Sequence, residues 1–502
     1  MIRRLATAVA LVATLATPAA AQRGVTITIA PPADAVTMDP GRSTQVLTVN
    51  YYVNLYDTLT RWDTSLKLQP GLATAWKSVG ETVWDVTLRP NVKFHDGTPF
   101  TAEDVKAVYE RNMAPGKTVV TAGFATIDKI EAVTPTSLRI TTKKPDPLMP
   151  VRMAQMGGYI YPKRFATDDG AKELARKPVG TGAYRFVEWI KDDRLVMEAN
   201  GEWWGWGGKP PAVDRLIWKP IPDDFARLSA LQRGEVDVIT NVPPDQMKIV
   251  KTLAVTSSRF AVLSMNTTQA PLSDKRVRQA LHYALDMPSI VKNLYAGQGK
   301  PFSGGVADTD FGFNPALKPY PYDPAKAKAL LAEAGYAGQE LTMHAGFGTM
   351  VNDKQLLETI ADMWSQVGVK AKVEMMEMAR RQKMNNDRST PPNGMLLGNP
   401  QSTLLDIDGC LWRIFHPNGF NGKYWVGSQP GHRFHDIMEQ GRYSLDQKKR
   451  KDLYVEATRI IHEEKPWIEL FQEVVIYGVS KRVTFKPRAD FRLIAAEMTA
   501  TR

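Results

Sequence analysis

One cysteine, Cys410, occurs in 502 residues. A lone thiol makes no internal disulfide and no thiolate metal cluster, and the role expected of it is a small buried hydrophobe. Long hydrophobic runs are equally scarce: beyond the N-terminal segment no stretch approaches the roughly 18 apolar residues that span a bilayer. Low-complexity tracts are absent, and 43% hydrophobic with 23% charged residues is an ordinary globular balance. Recognisable catalytic signatures are missing too. There is no G-x-S-x-G elbow, H-E-x-x-H helix or Walker loop, and Gly180-Thr181-Gly182 and Gly297-Gln298-Gly299 lack the third glycine of a dinucleotide loop. Among seven histidines, His432 and His435 are closest and have no carboxylate partner at ligand spacing. No catalytic residue, metal or cofactor is expected.

What is present begins at the N-terminus. Arg3 and Arg4 precede the apolar run Leu5–Ala16, Thr17-Pro18 breaks it, and Ala19-Ala20-Ala21 supplies small residues before Gln22. These are the three parts of a secretory signal, so residues 1–21 are expected to be cleaved after Ala21. No cysteine follows that site to carry a lipid anchor, and the mature chain is expected in the periplasm. Net charge is +11, or about +9 without Arg3 and Arg4. The basic residues are dispersed, and the one tight cluster, Lys448-Lys449-Arg450-Lys451, reads as a solvated helix face, so no nucleic-acid partner is expected.

The length calls for two or three lobes. Val25–Ile29 and Val83–Leu88 alternate as half-buried strands. Thr101 caps a helix running to Asn112. Asp223-Asp224, Asp323-Pro324 and Asp353 open helices that end at Gly234, Gly335 and Gly368, with strands at Glu235–Ile239 and Val369–Glu374. Helix and strand alternate as in α/β lobes with mixed sheets. In mid-chain, Phe260–Met265 reads as a strand feeding a helix capped by Ser273 or Asp274. The tryptophans of Glu202–Pro211 could stack on a ligand or pack a long loop; packing is preferred. Met395-Leu396-Leu397 reads as a buried strand followed by a polar loop, and Trp467–Val479 as a strand-rich run.

Several stretches, in order, resemble the periplasmic solute-binding proteins of family 5 of ABC importers, the group of oligopeptide-, dipeptide-, glutathione- and nickel-binding proteins. They include Met38-Asp39-Pro40, Asn54–Leu59, Leu68–Trp76, Leu88–Val105, Pro178–Tyr184, Leu231–Asp237, Arg276–Leu281 and Tyr322–Tyr336. The resemblance implies an α/β fold of the periplasmic binding protein-like type II: two lobes joined by a two-crossing hinge, plus an extra α+β domain (cluster C). Lobe I would take residues 22–59, 176–262 and the return 476–502, with the extra domain at 60–175 and lobe II at 263–475. The crossings would lie near Ala261–Asn266 and Phe471–Tyr477.

The implied function is capture of a peptide or peptide-like small polar solute in the interlobe cleft by a monomer, and delivery to permease subunits in the inner membrane. A sugar, opine or metal chelate is the rival ligand. The implied ligand-binding residues are Thr44, Gln45 and Val46 after the Asp-Pro turn, Asn266 at the cleft mouth, and Asn399, Gln401, Thr403, Asp406 and Asp408. Peptide binders often hold the peptide's ammonium with an aspartate three residues before the Asp-Pro-Asp-like element, a position occupied here by Thr403. A second reading, from a different class, is an exported glycan hydrolase using Asp406 and Asp408.

Overall fold

In the computed structural model of this protein, residues 24–501 are described, apart from 156, 388, 392, 403, 418–421 and 426–428 and the side chains at 386, 423 and 429. The expected signal segment and Thr403 lie outside the described residues.

Two long strands, Thr252–Met265 and Trp467–Val479, pair antiparallel along most of their length and form the axis of the molecule. On one side the sheet continues through Gly394–Gly398, Leu341–Gly346 and Ala371–Met376. On the other it continues through Val238–Ile239, Thr26–Ala30, Arg215–Trp218, Arg194–Ala199 and Tyr184–Ile190. Parallel and antiparallel pairs mix, with helices on the faces, as expected of an α/β chain.

The apolar core changes identity along the two axial strands. Near one end, Val475, Tyr477 and Val479 join a core with Ile27, Tyr51, Trp218 and Val238. Near the other, alternate residues face opposite ways. Ala261, Leu263 and Met265 enter a core with Leu281, Ile360 and Trp364, whereas Phe260 and Val262 pack with Phe415, Tyr454 and Trp467. Pairing register breaks between Thr256 and Phe260 and again before Val262. The change of core thus falls at about residues 256–260 and 472–474, and Met265 is 1% exposed inside the second core.

The α+β expectation for the early chain is met by the antiparallel strands Ala73–Ser78, Val83–Leu88, Ser137–Thr142 and Ile127–Thr134, covered by helix Ala102–Met113. Thr101 and Asp104 form a reciprocal capping box at that helix. Phe94, Val108 and Ile140 belong to the same continuous core as Ile27 and Trp218, so this region is fused to its lobe by packing. The Gly180-Thr181-Gly182 stretch follows from close approach: a Cβ at Gly180 would meet the Leu55 carbonyl oxygen at 2.1 Å, and one at Gly182 would meet the Leu55 carbonyl carbon at 2.5 Å.

One expectation is corrected here. The basic cluster lies in helix Gln447–Glu464, and Lys448 is solvated and paired with Asp452. Arg450, however, turns inward, is 2% exposed and grips Asp406. Among the described residues no helix is long and apolar enough to cross a membrane.

Candidate binding cleft

The sheet brings two walls face to face. One is the first turn of helix Val46–Leu55, with Trp62 and the late segment Asp490–Arg492. The other is the segment that leaves strand Gly394–Gly398 and runs through Gln401, Ser402 and Leu405. They border a space of about 480 Å³. The crossing strand touches both walls: the Ser258 amide donates to the Ala489 carbonyl at 2.9 Å, and the Ser258 carbonyl accepts from the Ser402 amide at 3.3 Å. Gln401 Nε2 reaches Ser258 Oγ at 3.2 Å. Arg259 stacks 4.3 Å over the Phe491 ring and lies 3.8 Å from Glu473 of the second axial strand. Burial pushes the Glu473 carboxyl up, with Arg259 pulling back.

Two further spaces are present. One of about 590 Å³ is lined by Arg381, Asn399, Pro400, Arg413 and Trp467 among others and shares no lining residue with the first. The other, of about 810 Å³, shares Trp62 and Arg492 with the first space and extends to Asp57, Arg61, Trp203, Trp206 and Glu497. The tryptophan loop is therefore both packing and lining: Trp203, Trp204 and Trp206 lean on the core, and Trp203 and Trp206 also face that space. The Trp203 and Trp204 indoles donate to Asp57 at 3.1 and 2.9 Å, and the Thr181 hydroxyl donates at 3.0 Å.

Burial raises the Asp57 pKa to about 6, while those donors pull it down. An unfolded aspartate titrates near 3.9, so between about pH 4 and 6 the folded chain holds a proton that the unfolded chain has lost. This group's contribution therefore weakens stability as pH rises through that window and is most favourable below it. Asp57→Asn is expected to remove that component, changing the wild-type-minus-variant stability by about 2 kcal/mol between pH 4 and 7. Urea titrations at several pH values measure it, and parallel pH profiles in the two proteins would contradict it.

The sequence-expected residues separate by position. Val46 and Gln401 face the same central space, and Asn399 faces the separate space beside Arg381 and Trp467 while its amide donates to the Thr349 carbonyl at 3.0 Å. Thr44 and Gln45 are exposed just before the helix. Asn266 is buried, donates to the Thr390 carbonyl at 2.7 Å and accepts from Thr268, so its amide braces a turn. Asp406 accepts from both terminal nitrogens of Arg450, at 2.7 and 2.8 Å. Asp408 is 3% exposed, 3.5 Å from Arg152 of the opposite wall and 3.4 Å from Arg442.

Sequence reasoning missed Trp62, at the end of strand Thr60–Trp62, Arg381, in helix Met378–Asp387, and Asp490 and Arg492 of the late segment, none of which carries a local signature. It also missed that His435 and Glu439, on helix Gln429–Arg442, meet His416, with ligand atoms within 4.8 Å of one another. Glu439 already accepts from Trp412 Nε1 at 2.6 Å, and Arg442 stacks 3.5 Å over the same indole. A cation held there would sit beside a guanidinium.

Two α/β halves, bridged by two continuous strands and facing each other across a polar cleft, define a binding protein of the periplasmic type II class. The comparisons carry this further. The sequence profile of the bacterial extracellular solute-binding proteins, family 5 Middle, matches residues 67–422. The glutathione-binding protein GsiB of Escherichia coli O1:K1 is 30% identical over 475 residues, 91% of each chain. The periplasmic binding protein DppA from Helicobacter pylori, solved with peptide STSA, superposes with a TM-score of 0.79 at 25% identity, over 95% of this chain and 98% of that one. AgaA from A. tumefaciens R10, solved with agropinic acid, gives 0.78 at 23% identity, over 95% and 99%. This chain belongs to the family 5 extracellular solute-binding proteins. It is a transport binding protein and not an enzyme, which removes the hydrolase reading of Asp406 and Asp408.

Proposed function

We propose that this chain captures a peptide or peptide-like small polar solute between the wall of Val46, Trp62 and Arg492 and the wall of Asn399 and Gln401, and hands it to an ABC permease in the inner membrane. The observation that carries the reading is that described residues of both halves border the central space, with Ser258 of the crossing strand bonded to each wall. A hinge at about residues 256–260 and 472–474 would open and close that space. The working form is a monomer, exported to the periplasm with residues 1–21 removed after Ala21; the periplasmic relative DppA supports the export, and the composition of that segment supports the cleavage.

A specific observation also favours the rival ligands, a sugar, an opine or a metal chelate. Thr403 stands where peptide binders often carry a carboxylate for the ammonium. Asp406 and Asp408, the nearest substitutes, are engaged by Arg450, Arg152 and Arg442. The set Thr44, Gln45, Val46, Asn399, Gln401 and Thr403 therefore forms the proposed contact surface, and Asn266, Asp406 and Asp408 its frame.

Thermal denaturation with a panel of peptides including glutathione, opines, sugars and metal chelates tests the reading. At 100-fold excess over Kd a true ligand should add about 2.7 kcal/mol and be recovered unchanged. A flat response across the panel would argue against a receptor role.

A further inference from the structure

Behind the Gln401 wall lies a buried carboxyl group without a cation. Asp310 is 5% exposed and forms no ion pair among the described residues. Its Oδ2 accepts from the Ala307 amide at 3.1 Å, and its Oδ1 is buried and receives no hydrogen bond. The next residue, Phe311, is clamped to the wall: its amide donates to the Leu405 carbonyl at 2.9 Å, and its carbonyl accepts from the Ile407 amide at 3.1 Å. Leu405 stands at φ +51°, a conformation that a leucine keeps only where its surroundings hold it. Ser402 and Leu405 both border the central space.

Ser402 lies beside the Asp310 carboxyl. A hydroxyl has one proton and two acceptor sites. The Ser402 proton goes to the Asp406 carbonyl at 3.2 Å, and one acceptor site takes the Asp406 amide at 3.3 Å. Only an acceptor site remains for Asp310, so the carboxyl meets Ser402 by donating a proton of its own. Burial, with the charge of Asp406 nearby, pushes the Asp310 pKa up to about 8, and the proton is present at neutral pH.

The charged and titratable neighbours of Asp310 are engaged or neutral. Asp308 of its own loop pairs with Lys300. Asp406 and Asp408 of the wall are held by Arg450, Arg152 and Arg442. Arg413 of helix Leu411–Phe415 donates to the Gly409 and Gln401 carbonyls. Burial pushes the Cys410 thiol up to about 12 and the hydroxyl of Tyr454, 6.2 Å from the Phe311 ring, well up. Both keep their protons where Asp310 gives up its own.

We propose that Asp310 is a positioning residue of the cleft: its acid proton, donated to Ser402, holds Ser402, Leu405 and Ile407 in the arrangement that borders the central space. The inference rests on the receptor reading for its consequence, a binding wall that is firmest in mild acid. Once exposed, an aspartate titrates near 3.9. Opening the wall therefore releases a proton between about pH 4 and 8, so the closed wall is favoured most below that window and least above it.

The test is hydrogen exchange of the Phe311, Asp406 and Ile407 amides, read as protection factors from pH 5 to 9 in the solute-free wild-type chain and in Asp310→Asn. It needs no solute, so its outcome is separate from that of the solute panel. In the wild-type chain protection should fall as pH rises, by up to about tenfold per pH unit, and level off above about pH 8. Asparagine donates to Ser402 at every pH, so Asp310→Asn should stay protected with a flat profile. Amides of the axial strand Thr252–Met265 should show no such slope in either protein. A level profile in the wild-type chain, an equal fall in Asp310→Asn, or the same slope in the axial strand would overturn the inference and leave the receptor reading standing.

Discussion

Replacing Arg450 with alanine should cost the fold about 3–5 kcal/mol, because it strands a buried carboxylate. Asp406 is 2% exposed and bound at both oxygens by Arg450. The arginine in turn stacks 4.8 Å over Phe311 and 4.5 Å over Tyr454. Burial already pushes the Asp406 carboxyl up, and Arg450 is the main influence opposing that shift. Asp406→Ala should be destabilising in the same range, with the guanidinium now stranded. The double substitution Arg450→Met with Asp406→Leu should recover most of the loss, since a buried pair replaced by apolar groups of similar volume is often neutral. Chemical denaturation of the four proteins measures the two losses and the recovery. If Asp406→Ala leaves the unfolding midpoint unchanged and abolishes solute binding, Asp406 is a ligand contact rather than part of the frame.

Asp408→Asn should loosen the closed arrangement while leaving each lobe folded. Asp408 belongs to the Gln401 wall, whereas Arg152 comes from the short helix Met149–Arg152 of the region 60–175. Their 3.5 Å contact crosses from one half to the other. Arg152 keeps its 2.7 Å bond to Asp146 in the variant, so no buried cation is abandoned there. A hydrogen bond to a charged group is worth about 1.5–3 kcal/mol, so the closed population should fall roughly ten- to a hundredfold relative to the open one. Apparent affinity should fall with it if closure accompanies binding. Small-angle scattering of the solute-free variant should give a larger radius of gyration than wild type. Equal radii with unchanged affinity would show that the pair does not hold the halves together.

Much of the framework was legible because it is local. Val83–Leu88 and Trp467–Val479 coincide with observed strands, since alternation and β-branched content are properties of short windows. Asp223, Asp274 and Asp323 each cap the helix expected of them. Cys410 is buried, and burial raises its pKa to about 12. The helix at Lys275–Tyr283 carries basic residues in its first turn, and their partners are structural: Asp274 for Arg276, Glu464 for Lys275 and Arg278.

What was not legible depends on long-range placement. Arg450 reads as one more solvated lysine-like residue in its cluster until Asp406, 44 positions away, appears beside it. Trp62 and Arg492 share no motif with Gln401 or Val46, and only the fold brings those residues around one space. The place where the axial strands pass from one core to the next is not marked either, because an apolar strand segment looks the same whether it crosses between lobes or lies inside one. The register breaks near Phe260 have no sequence mark.

Native mass spectrometry of the chain isolated from periplasm, followed by release under denaturing conditions, tests the account most directly. The expected result is one small polar molecule held non-covalently by each chain, released on unfolding, and still chemically intact after prolonged incubation with the protein. Conversion of that molecule into a product, or a chain that takes up no solute from the panel, would contradict a receptor that binds by enclosure.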